Sequence, residues 1–302
     1  MGGGEWAFGW GDQDDTASID AIRRALDLGI NWIDTAAVYG LGRAEEVVGK
    51  AIGGIRNDVI IATKCGRVWD ENRKIGKRLK RWSISKEIDA SLRRLKTDYV
   101  DLYQIHWPEP DEDIEEAWDQ MTEIVKQGKA RYIGVSNFDV DQMSRIQSSC
   151  PIASLQPPYS MVRRDIESNI LPYCSENDIG VIPYSPMQAG LLTGKFDLTR
   201  AVNLPKNDWR SRSPYFQQPA LSVHLAMVDD LSVIANELGI TTAQLSLAWI
   251  LTRTAVTSAI VGARKPSQIE ETVNAASIQL PIETLQKLDD LLDEHEEKLK
   301  SL

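Results

Sequence analysis

The sequence predicts an α/β fold, a parallel sheet closed into a (β/α)8 TIM barrel whose first strand is absent or incomplete. Three observations carry that expectation. Short apolar runs rich in β-branched and aromatic residues alternate with amphipathic stretches at helical spacing, the pattern of parallel strands joined by covering helices. Functional-looking residues stand at or just past the C-terminal ends of at least six of these runs, and in a barrel all such ends face one mouth. The competing architecture, a doubly wound open sheet, announces itself with G-x-G-x-x-G after its first strand; Gly40-Leu-Gly42 comes closest here, with Glu45 where the third glycine belongs.

The chain opens on a helix over 16–28 with no clear strand before it, because Trp6-Ala-Phe-Gly-Trp10 is short and glycine-flanked. Strands follow over 31–36, 59–64, 100–106, 130–136, 153–156, 180–185 and 258–262. Helices are expected over 43–52, 85–96, 114–127, 140–147, 167–177, 225–238, 243–251 and 267–276, and a last amphipathic one carries Leu285, Leu288 and Leu292 on one face. No Pro/Gly/Ser-rich linker interrupts the series, so residues 1–302 read as a single domain.

Composition narrows the function. With 34 basic and 44 acidic residues the net charge is −10, which disfavours nucleic acid or an acidic membrane as the main partner. Cys65, Cys150 and Cys174 lack CxxC or HxxxH spacing, so neither a disulfide framework nor a zinc site is expected, and they read as reduced thiols of a cytoplasmic protein. No signal peptide, membrane span or lipidation motif is evident. The oligomeric state is left open.

Four ionisable side chains stand out: Asp34, Tyr39, Lys64 and His106. Three successive strands can bring an acid, a phenol, an amine and an imidazole to one point. Taken singly, each has a structural reading. Asp34 and Lys64 make a plain ion pair, His106 a satisfied polar residue, and Tyr39 a cap on the barrel.

Read together, Asp34-Thr-Ala-Ala-Val-Tyr-Gly40, Ile60-Ile-Ala-Thr-Lys64, Leu102-Tyr-Gln-Ile-His106, Gly134-Val-Ser-Asn-Phe138, Gln156, the run from Tyr184 to Gly194 and Val261-Gly-Ala-Arg264 resemble the aldo-keto reductase family. The resemblance runs in order from about Gly3 to about Asn274. The loops are most similar to those of general-stress-type reductases and of potassium-channel β subunits. Family members carry a hairpin and a first strand ahead of a glycine-rich loop; here Gly2-Gly-Gly-Glu-Trp6 looks like that loop, with nothing before it.

The resemblance implies NADPH-dependent reduction of small aldehydes or ketones, with Asp34, Tyr39, Lys64 and His106 as the catalytic set. Tyr39 would be the general acid, Lys64 would lower its pKa, Asp34 would hold Lys64, and His106, neutral, would donate to the carbonyl oxygen. It places the carboxamide of NADP(H) on Ser136, Asn137 and Gln156, and the nicotinamide ring on Tyr184. The pyrophosphate falls near Ser185, Leu191, Gly194 and Lys195, and the adenosine 2′-phosphate near Gly262, Arg264, Gln268 and Glu271. A Ser267/Glu270 capping box is expected at that last helix. Thr272 replaces a common asparagine, which takes one amide from the adenine site.

Trp69, Trp107 and Trp209, in the loops over 65–82, 107–113 and 190–219, would line an aromatic substrate pocket, although loop packing explains each equally well. Arg73, Lys74, Lys77, Arg78, Lys80 and Arg81 make the first loop basic, more readily as a solvated face than as an anion selector. Two other readings remain: a cofactor-binding regulatory protein with little turnover, and a cofactor-free barrel using Lys64 as a Schiff-base amine. Tyr184 and Arg264 argue against the second of these.

Overall fold

The computed structural model describes residues 13–205 and 208–302. The 1–12 segment, with Trp6-Ala-Phe-Gly-Trp10 and the glycine-rich stretch before it, lies outside the described residues.

Strands β1 (Trp32–Asp34), β2 (Ile60–Cys65), β3 (Arg67–Trp69), β4 (Ile75–Lys77), β5 (Val100–Ile105), β6 (Ala130–Ser136), β7 (Ser154–Gln156) and β8 (Gly180–Val181) alternate with helices. These are α1 (Asp15–Asp27), α2 (Arg43–Ala51), α3 (Arg81–Leu95), α4 (Ile114–Lys126), α5 (Val140–Gln147), α6 (Ile170–Glu176), α7 (Leu198–Val202), α8 (Ala220–Glu237), α9 (Thr242–Leu251), α10 (Pro266–Thr272) and α11 (Ile282–Lys300). Six strands make one parallel sheet in the order β1-β2-β5-β6-β7-β8, and β3-β4 is a separate antiparallel hairpin.

The expected strand over 258–262 is present only as isolated parallel bridges, Val181 with Val256 and Tyr184 with Ile260. β8 is cut short because Pro183 has no N–H to give and Ser185 turns at φ 57°. Three hydrogen bonds still tie this last segment to β8 and its extension: Val181 N–H to Ala255 O, Thr257 N–H to Val181 O and Ile260 N–H to Pro183 O. Among the described residues no backbone hydrogen bond joins the 256–260 segment to β1. A cleft of about 340 Å³ opens there, lined by Ile22, Trp32, Ile182, Ile260, Ile269 and their neighbours.

Alternation along the strands divides the core. Ile33, Ile61, Tyr103, Ile105, Ile133, Val135, Leu155 and Val181 belong to the large cluster that Ile84, Ile88, Leu95, Trp118, Met121 and Ile124 of α3 and α4 complete. Each such side chain contributes roughly 1.5–3 kcal/mol by leaving water. Ala62, Leu102 and Ile182, with Trp32 against them, make a smaller cluster inside the sheet's curve.

The register places Lys64 beside Gln104 and Gln104 beside Gly134. A Cβ on Gly134 would sit 2.4 Å from Ser154 Oγ and 2.7 Å from Ser154 O, so only glycine lets β6 and β7 approach this closely.

Candidate active site

Asp34 ends β1, Lys64 lies one residue before the end of β2, and His106 follows β5 directly. Neighbouring parallel strands therefore deliver all three to the same end of the sheet. Tyr39 comes from the turn between β1 and α2, where Gly40, Leu41 and Gly42 all take positive φ. That curl brings its ring centroid to 5.2 Å from Lys64 Nζ.

Lys64 Nζ donates to Asp34 Oδ2 at 2.7 Å and to the Thr35 carbonyl at 2.9 Å, and the Tyr39 phenol lies beside it. Two of the three N–H donors of the ammonium are thereby used. The Lys64 side chain is wholly buried. Burial alone would strip its proton, yet Asp34 and then Tyr39 raise its pKa above the ordinary lysine value. The second oxygen of Asp34 accepts from Gln156 Nε2 at 2.9 Å.

Burial pushes the Tyr39 phenol up more strongly than Lys64 pulls it down, so it stays protonated through neutral pH. The His106 ring meets the Tyr39 ring edge-on at 5.7 Å. Burial, followed by the nearby charges of Lys64 and Arg67, holds His106 well below the usual imidazole range, and it is neutral at pH 7. Its backbone is clamped on both sides: its N–H donates to Cys65 O, and its carbonyl accepts from Asn137 Nδ2, each at 3.0 Å.

Ser136, Asn137, Gln156 and Tyr184 form a connected wall next to this group. Ser136 Oγ donates to Gln156 O at 2.7 Å, Asn137 Nδ2 also reaches Ser136 Oγ at 3.0 Å, and Tyr184 Oη donates to Asn137 Oδ1 at 2.9 Å. Asp139 caps α5, in a full capping box with Gln142. Asn137, at φ 62°, is thereby left to the wall. Gln156 turns its amide to Asp34, a contact that no local sequence pattern encodes.

Beyond Ser185, the residues Gln188, Ala189, Gly190 and Gly194 all have positive φ, the irregular handedness from which concave nests of N–H groups are made. Leu191 is buried with Phe196, Phe216 and Leu221, so it offers the mouth only backbone. Lys195 Nζ pairs with Glu271 of α10 at 2.6 Å. Arg264 N–H donates to Gln268 Oε1 and its Nε to Gln13 Oε1, both at 2.7 Å. The expected Ser267/Glu270 capping box is not formed: Lys265 is the N-cap without a side-chain bond, and Glu270 is drawn to Arg24 at 2.7 Å because α1 packs along α10.

A Cβ at Gly262 would meet nothing within 4 Å. Gln188, Gly190 and Leu192 spend their N–H groups on the Ser185 and Met187 carbonyls, so the open backbone at Gly262 and the cations Lys195 and Arg264 are the groups that fit a phosphate-bearing dinucleotide.

The three tryptophans diverge. Trp107 is exposed at the mouth beside His106, with the Arg67 guanidinium 5.5 Å from its ring. Trp69 lies 5.8 Å from the Arg94 guanidinium, and Trp209 packs edge-on against Phe216 at 6.4 Å. Of the basic loop, Lys80 and Arg81 pair with Asp113, Glu116 and Asp119 of the α4 region, largely in solvent. The β3-β4 hairpin and its link to Glu109 are absent from the sequence reading. The alternation in Arg67-Val-Trp69 and Ile75-Gly-Lys77 around a polar turn is the signal that would have found them.

Residues 1–293 match the pattern of the aldo/keto reductase family. The chain is 42% identical over 276 residues to aldo-keto reductase YhdN of Bacillus subtilis, covering 89% of this chain and 82% of that protein. It is 36% identical over 298 residues to the NADH-specific methylglyoxal reductase of Escherichia coli, covering 93% and 90%. A putative voltage-gated potassium channel subunit beta of Schizosaccharomyces pombe is 34% identical over 308 residues, covering 96% and 88%. The structure of the glycerol dehydrogenase AKR11B4 from Gluconobacter oxydans superposes with a TM-score of 0.87 at 38% identity, covering 97% of this chain and 90% of that one.

Proposed function

The chain belongs to the aldo/keto reductase family of NAD(P)-dependent oxidoreductases, and from that premise we propose that it reduces small aldehydes or ketones to alcohols with NADPH, Tyr39 serving as the general acid. The observation that carries this reading is the pairing of Lys64 with Asp34 and the Thr35 carbonyl, which sets a wholly buried cation 5.2 Å from the centroid of the Tyr39 ring.

A reduced nicotinamide held by the residues below would supply the hydride. As hydride reaches the carbonyl carbon, charge builds on the oxygen, and the protonated Tyr39 gives its proton there. Lys64 stabilises the phenolate left behind until solvent reprotonates it. Neutral His106 donates a hydrogen bond to the same oxygen and sets its angle. Asp34 keeps Lys64 charged, and Gln156 holds Asp34.

Tyr184 offers a ring for the nicotinamide to stack on, and Ser136 and Asn137 lie within the same wall for its carboxamide. Ser185, Leu191, Gly194 and Lys195 would receive the pyrophosphate. Gly262, Arg264, Gln268 and Glu271 would receive the adenosine end, where Arg264 favours the 2′-phosphate of NADPH. The NADH-specific relative makes this choice a point to measure. No helix among the described residues is long and apolar enough to cross a membrane.

The likeness to channel β subunits favours a second reading, a cofactor-binding regulatory protein with little turnover; the intact constellation around Lys64 favours catalysis. Fluorescence titration with NADPH and NADH, followed by cofactor oxidation over an aldehyde and ketone panel, separates them. Tight NADPH binding with turnover is expected. Binding without turnover on any carbonyl supports the regulatory reading, and no binding of either nucleotide refutes both.

A further inference from the structure

The hairpin register sets Arg67 directly opposite Lys77, with both side chains on one face. Like charges facing each other across a strand pair repel, so something must offset them. Glu109, three residues past His106, is what they share. Its Oε2 accepts from Arg67 Nη2, and its Oε1 is 3.0 Å from Lys77 Nζ. A tight turn from Glu109 N–H to Trp107 O presents it there.

Two cations thus stand on one carboxylate, leaving this cluster one positive charge over in a protein of net charge −10. Arg67 is close enough to depress the His106 pKa, and its guanidinium lies beside the exposed Trp107 ring. Its side chain is only 15% exposed, so it sits down in the mouth and not out on the surface. Glu109 itself is held below the ordinary carboxylate range by Lys77 and Arg67, and it stays ionised without neutralising both.

We propose that Arg67 and Lys77 form an anion-recognition subsite, so that the preferred substrates are carbonyl compounds carrying a carboxylate or another anionic group at the end remote from the reacting carbon. This rests on the oxidoreductase reading above. The carbonyl would lie under Tyr39 and His106, the body of the substrate along Trp107, and the anionic end against the guanidinium and ammonium. Arg67 gives two parallel N–H groups to a planar carboxylate, whereas Lys77 acts as a point charge.

The test uses full-length protein at saturating NADPH with four para-substituted benzaldehydes: unsubstituted, carboxylate, phosphate ester and trimethylammonium. One charge-assisted contact predicts kcat/KM for the carboxylate about tenfold above benzaldehyde, with the trimethylammonium compound below both. The phosphate arm tells whether a planar carboxylate is selected or any anion. Arg67→Gln and the more exposed Lys77→Gln should each reduce the anion preference through KM, leave benzaldehyde within about twofold, and remove most of the salt dependence.

A wild type that favours neutral or cationic aldehydes, or an anion preference that survives Arg67→Gln, overturns the proposal. If benzaldehyde is reduced but no preference is seen, only the subsite fails. If no aldehyde is reduced, the oxidoreductase reading fails with it.

Discussion

The three neighbours of Lys64 have different tasks: Asp34 supplies charge, the Thr35 carbonyl direction, and the Tyr39 phenol the chemistry. Removing the ammonium while leaving Asp34 buried should therefore cost more than removing both. Lys64→Met is expected to lower unfolding stability by about 3–5 kcal/mol, and pairing it with Asp34→Asn to recover part of that, as chemical denaturation would measure. A double mutant no more stable than the single one would show that Asp34 is held independently of Lys64.

Glu87 offers a second check on charge at this scale. It accepts from Gly66 N–H at 2.8 Å and Ser83 Oγ at 2.9 Å just behind the end of β2, and burial raises its carboxyl to about 7 from 4.5. The folded state therefore holds its proton more tightly than the unfolded one. Its stabilising contribution is full below pH 4.5 and is lost as pH rises through about 7, a difference of about 3 kcal/mol. Glu87→Gln should flatten that part of the stability profile and make the protein more stable than wild type at pH 8.

At the scale of elements, β6 and α5 were fully legible in the sequence. The β-branched run Ala130–Ser136 and the Asp139/Gln142 capping box carry their own boundaries. α8 begins at Ala220, earlier than its apolar period suggested, because His224, a polar residue, is buried as part of the stripe and bonds His295 across to α11 at 2.9 Å. The β3-β4 hairpin was hard to read because its strands are only three residues long, so their alternation is brief, and its two facing cations are matched by Glu109 on another loop.

Gly134 marks where two elements come closest. Gly→Ala in a strand is ordinarily mild or stabilising, but Gly134→Ala should destabilise by at least about 1–3 kcal/mol, since its methyl meets the Ser154 backbone. Urea unfolding would measure it, and a neutral result would mean that β7 yields freely.

For the whole molecule, the alternation of strands and helices made the α/β architecture readable, and the strand-end residues made the mouth readable. What pairs with β1 on its outer side was not, because 256–260 joins the sheet by isolated bridges. β2 and β5 are covered on both sides by paired strands, whereas the described residues leave β1 and 256–260 facing a cleft. Amide hydrogen exchange should accordingly protect Ala62 to Ile105 strand amides longest and β1 and 256–260 least. Uniform protection around the sheet would mean that the cleft is closed in solution.

The mouth's function depends on Tyr39 giving a proton while His106 stays neutral. The most direct measurement is the turnover of an aromatic aldehyde with NADPH from pH 5 to 10, in wild type and Tyr39→Phe, with NADPH affinity titrated in the same preparations. The account predicts a wild-type rate without a break near 6.5 that falls only at alkaline pH, and a Tyr39→Phe rate lower by about 100-fold with NADPH affinity unchanged. A phenylalanine variant that reduces the aldehyde as fast as wild type would contradict it.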